Sequence, residues 1–173
     1  MALIVEDGTV VVDANSFISL VDARVMATDM ALSLDADDTI AETQLRQSYY
    51  QLVRSYQNRL QGSTVSQIQT GIFPRFDVVA NGFLVASDSI PVEIQRAQIE
   101  YGDSINKGAD FNKTADDQEL KAFNVQGVYS EQYKDGSNAR TTPLVPSVTQ
   151  WLLPFMESMG LQREEFFYAG NSL

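Results

Sequence analysis

"FDVVANGFLVASDSIPVEIQRAQIEYG", residues 76–102, joins two kinds of periodicity through one proline. Asn81-Gly82 asks for a type I′ turn, because both central residues of that turn sit at positive φ, and "FDVVA" and "FLVAS" supply apolar arms on either side. Pro91 suits the first turn of a helix, where its fixed φ fits and its missing N–H would have no partner. Ile94, Ala97, Tyr101 and Ile105 then carry one apolar face onward to Gly108. The stretch predicts a β-hairpin, spanning roughly residues 73–88, wired directly to an amphipathic helix.

Upstream, Leu45, Tyr49, Leu52, Tyr56 and Leu60 line one face of a second helix with Arg, Gln, Ser and Asn opposite, and Gly62 ends it. "DADDT", residues 35–39, stops a preceding helix and caps this one. That preceding helix opens on Ser19 and Asp22, a capping pair, and runs through Leu20, Ala23, Ala27, Met30 and Leu34. At the start, "ALIV" (2–5) and "VVV" (10–12) read as short strands around the turn-like "EDGT". Residues 63–71 read as loop.

Downstream, residues 108–119 are polar and loop-like, and Phe123, Val125, Tyr129 and Tyr133 alternate as in a strand. "TTPLVPSVTQWLLPFME", 141–157, predicts a short helix burying Val148, Trp151, Leu152 and Phe155. Pro154 removes a hydrogen bond, so a kink or an end is expected near Leu153. The fold class is mainly α: a bundle of about four helices with a projecting β-hairpin and short strands. Residues 1–156 form the domain and residues 157–173 an extended C-terminal arm.

Composition narrows the function. With 173 residues and 44% hydrophobic content the chain can build one core. It has no apolar run near the ~18 residues a membrane span needs, and its start is acidic where a signal peptide is basic, so a soluble chain made in the cytoplasm, with no membrane partner, is expected. Cysteine and histidine are both absent, which removes disulfides, thiolate nucleophiles, the commonest zinc ligands and the commonest general base. "DADD" begins like a calcium loop, but its sixth and twelfth positions are Ile40 and Arg46 instead of glycine and glutamate. No phosphate loop, dinucleotide fingerprint or nucleophile elbow occurs, and the carboxylates in "ADDQE" (115–119), Asp116 and Asp117 among them, could supply a general acid–base pair of a kind common in surface loops. The expectation is a protein that is not an enzyme and takes neither metal nor cofactor.

The net charge of −11 is uneven: residues 1–38 hold eight acids against Arg24, whereas residues 40–75 hold Arg46, Arg54, Arg59 and Arg75 against Glu42. An acidic chain repels phosphate, which argues against a firm grip on duplex DNA. "SYYQLVRSYQNR" (48–59) interleaves aromatics with arginines as a single-strand stacking platform does, although Tyr49 and Tyr56 fall on the apolar face. Phe73, Phe76 and Phe83 around the hairpin, and Phe166, Phe167 and Tyr168 near the end, have little core of their own to enter and read as docking groups.

"MALIVEDGT", "ANSFISLVDA", the "FPRFDV…NGFLV…SDSIPVEIQRAQIEYG" block and "PLVPSVTQWLLPFM", in that order over residues 1 to about 156, resemble the head-to-tail adaptor proteins of tailed bacteriophages. Relatives of this kind are often described as DnaT-like single-stranded-DNA-binding proteins. Phe73 stands where that family typically has tryptophan before "PR". The resemblance implies a structural protein of the virion neck that assembles as a ring, commonly dodecameric, beneath the portal. Such a ring extends the channel for packaged double-stranded DNA and offers a platform to a tail terminator or other neck protein. It further implies that Phe73, Arg75, Phe76, Val78, Phe83 and Val85 meet a neighbouring subunit or the tail. Arg46, Arg54 and Arg59 would form charge contacts between subunits, and Phe166, Phe167, Tyr168 and Leu173 would anchor the arm in the portal. The competing readings are a replication protein that binds single strands and, behind it, a carboxylate hydrolase.

Overall fold

The computed structural model describes residues 2–109, 111 and 145–157. Four α-helices occur among them: α1 (Leu20–Asp29), α2 (Asp38–Tyr56), α3 (Val92–Asn106) and α4 (Pro146–Leu152), the last continued by a 3-10 turn, Leu153–Phe155. Two antiparallel strand pairs lie between α2 and α3: β1 (Ser63–Thr64) with β2 (Arg75–Phe76), and β3 (Val79–Ala80) with β4 (Phe83–Leu84). The helical bundle with a small β extension is thus the fold, whereas the strand expected near 123–133 and the arm beyond Glu157 lie outside the described residues.

The caps act where side-chain chemistry directs. Ser19 Oγ accepts from the Asp22 amide and donates to the Asp22 carboxylate. Asp37 accepts from the amides of Thr39 and Ile40, which explains "DADD" as a helix start. α1 is shorter than its apolar spacing predicts: Ala31 takes φ +56°, so Leu34 packs from beyond the helix end. α2 also stops early, at Tyr56, and Leu60 reaches the core from a turn that bridges to Met156. Pro91 proves to be the residue before the first helical position of α3, and the helix at 146 gives way to the 3-10 turn at Leu153, as Pro154 requires.

α3 packs against both α2 and α4, and α1 closes over α2 and α3. Tyr49, Leu52, Tyr56, Ile94, Ala97, Tyr101, Val148, Leu152 and Phe155 fill the main core, joined by Phe17, Ile72 and Phe73. Gln98, fully buried, ties the bundle together: its Oε1 accepts from the Phe17 amide, and its Nε2 donates to Ser16 Oγ and to the Leu45 carbonyl.

The expected N-terminal strands do not form; only Val5 and Ser16 make an isolated bridge. Residues 6–11 instead wrap around the buried carboxylate of Glu6, which accepts from the amides of Gly8, Val10 and Val11. Val10 is held there at φ +63°. A local acceptor for three amides outweighs the β preference of "VVV", which is the physical reason for the difference.

Candidate interaction surfaces

The hairpin is aimed from its base. Asp77 takes φ +58°, so the predicted "FDVVA" arm divides: Arg75–Phe76 pairs with residues 63–64, and Val79–Ala80 turns back onto β4. Asn81 and Gly82 sit at φ +53° and +85°, as the type I′ turn requires. The Arg75 guanidinium, buried below the hairpin, donates to the carbonyls of Gln61 (2.7 Å), Gly62 (2.8 Å), Leu60 (3.3 Å) and Ile72 (3.4 Å). That burial pulls its pKa below the ordinary arginine value. Gln61 links the hairpin to the C-terminal end of the bundle, accepting from the Val79 amide and donating to the carbonyls of Pro154 and Met156. Gly62, at φ +68°, lies where a Cβ would collide with the Phe76 carbonyl, so no larger residue fits this crossing.

This base relocates half of the expected hairpin contact set. Phe73 and Val78 are fully buried in the chain's own core, with Phe73 edge-on to Phe155, and Arg75 is a structural tie. They are corrected from docking groups to foundation. Val85 is half-buried against the same core. What projects is Phe83 (78% exposed), Leu84 (73%), Val79 and Phe76. The ten residues from 78 to 87 carry no charge.

A second surface was not foreseen. Val25 and Met26 of α1, with Met30 just past its end, face Trp151 of α4 across a shallow, open groove of about 520 Å³, with Asp22 and Asp29 on its α1 side and Arg96 beside the ring. Trp151 is held flat by its neighbours: the Arg96 guanidinium lies 5.0 Å from the ring centroid, and the indole N–H points at Glu100, which also accepts from Ser147. Val21 and Val25, one helical turn apart on the side of α1 away from Ala23 and Ala27, are both exposed, and that pair of valines was the available sequence signal.

The cations are spread. Arg46 is half-buried and donates to Thr43 and Glu42, while Arg54 and Arg59 are exposed. Arg46, Tyr50 (54% exposed) and Arg54 follow one another at four-residue steps on one face of α2. Arg24 pairs with Asp38 and Lys107 with Asp103. Among the described residues no group of three or more acidic side chains is placed to hold a metal, and no helix is long and apolar enough to cross a membrane. Phe166, Phe167, Tyr168 and Leu173, like Asp116 and Asp117, lie outside the described residues.

A family model described as "Putative DnaT-like ssDNA binding protein" matches residues 1–167. No curated protein and no solved structure matches the chain.

Proposed function

The chain belongs to that DnaT-like family, and from this premise we propose that it is a structural head-to-tail adaptor of a tailed bacteriophage. Copies form a ring between the portal and a tail or neck protein, and packaged DNA passes through its lumen. The observation that carries this reading is the hairpin tip: Phe83 and Leu84 are about three-quarters exposed above a base buried and hydrogen-bonded through Arg75. Large apolar groups presented this way favour burial against another protein. Acidic surfaces suit the channel, because they let a phosphate backbone move past without holding it. The arm, with Phe166, Phe167 and Tyr168, is assigned to the portal by the same resemblance.

Quantitative mass spectrometry of purified virions tests the proposal. Multiple copies per portal ring, in fixed proportion, are expected; absence from virions, with the chain present only in infected cells, would overturn it.

The family's description favours a second reading, and the Arg46–Tyr50–Arg54 stripe is the observation that supports it. Exposed aromatics with flanking arginines stack on bases and neutralise phosphates. Fluorescence anisotropy with an oligonucleotide checks this reading, which requires binding that Tyr50→Ala weakens.

A further inference from the structure

We infer that the hairpin tip of one copy seats in the α1–α4 groove of the next, so that subunits join head to tail; the inference rests on the ring reading above and names its contact. A single chain carries both halves. The tip offers Phe83 and Leu84, and the groove offers Val25, Met30 and the fixed Trp151 ring. α1 makes no contact with β3 or β4, so the hairpin as it is anchored leaves the chain's own groove open to another molecule.

Charge selects the occupant. The groove carries two carboxylates, Asp22 and Asp29, against one cation, Arg96, which is itself engaged over the Trp151 ring, so an acidic partner segment is disfavoured. The hairpin brings no carboxylate from residue 78 to residue 87, its flanking acids, Asp77 and Asp88, standing outside the two strands. Methionines adapt to an apolar knob, and an aromatic ring gives it a flat wall. Because tip and groove are different patches, the contact is heterologous, the kind that closes into a ring when its rotation permits.

Two full-length variants test the seating: Phe83→Ser/Leu84→Ser, which removes the tip, and Val25→Asp, which spoils the groove. All three side chains are exposed in the single chain, so circular dichroism should match the parent. Native mass spectrometry, on the free chain and on purified portal, then counts copies. Each variant alone is expected to associate about 100-fold more weakly than the parent. An equimolar mixture should recover heterodimers and nothing larger, because the intact groove of one variant accepts the intact tip of the other. Variants that assemble like the parent, or a mixture that recovers nothing, would overturn the seating while leaving the ring intact. A parent chain that never exceeds one copy, free or on portal, would remove the ring reading and the seating with it.

Discussion

Arg75→Met removes the hub under the hairpin while keeping most of its apolar stem. The two short bonds, to Gln61 and Gly62, are charge-assisted and contribute about 1.5–3 kcal/mol each; those to Leu60 and Ile72, at 3.3 and 3.4 Å, contribute little. Against this loss, the variant no longer desolvates a guanidinium, and the partly exposed carbonyls can take up water. The balance is a destabilisation of about 2–4 kcal/mol, which for a domain of this size lowers Tm by about 6–12 °C.

The assay pairs urea unfolding with hydrogen exchange. Protection should fall first at the Val79 and Val85 amides, which bond to Gln61 and to the Val78 carbonyl. Arg75→Lys should fall between parent and Met variant, since one ammonium cannot reach the carbonyls that a planar fork serves. A Met variant within about 0.5 kcal/mol of the parent, with hairpin protection unchanged, would refute the idea that Arg75 aims the hairpin.

Three further outcomes are expected. Glu6→Ala strands the amides of Gly8, Val10 and Val11 and should cost about 2–4 kcal/mol by urea unfolding, with the loss concentrated in the N-terminal loop. Burial pushes the Tyr49 phenol up to about 12 and raises Tyr101 as well, so the folded state resists ionisation that the unfolded chain undergoes near 10. Stability is therefore fully present below about pH 10 and lost as pH rises toward 12, which denaturation curves at stepped pH, read alongside phenolate absorbance, will register. Tyr101→Phe removes a buried hydroxyl that lies close to Ser55, Tyr56 and Val145 without a well-formed hydrogen bond to any of them, and should change stability by no more than about 1 kcal/mol in the same unfolding assay.

Much of the architecture was legible because it follows local rules. The α2 stripe of Leu45, Tyr49, Leu52 and Tyr56, the caps at Ser19 and Asp37, the Asn81-Gly82 turn and the break near Pro154 each depend on neighbours within one or two turns of chain. The failures share a different cause. Glu6 gathers amides that a strand reading assigns elsewhere, and Asp77, at positive φ, sends Val78 inward when alternation alone predicts a simple arm. The groove draws on α1, Arg96 and Trp151, segments more than fifty residues apart, so no window of sequence contains it.

The two functional readings make opposite demands on salt. Copies that each carry −11 repel one another, so an apolar contact between an uncharged hairpin and an acid-flanked groove should strengthen as ions screen that repulsion. Single-stranded DNA bound along Arg46, Tyr50 and Arg54 would release counterions, and its affinity would fall as salt rises, by a power of about 0.7 per phosphate neutralised. The exposed surfaces involved are separate, the hairpin tip and one face of α2, so the two behaviours can be followed in one preparation. Association that grows with salt while oligonucleotide anisotropy stays flat fits the adaptor. Binding that decays with salt in a chain that stays monomeric fits the replication protein. The sign of the slope, more than the affinity at any one concentration, separates an apolar contact between like-charged copies from a phosphate grip.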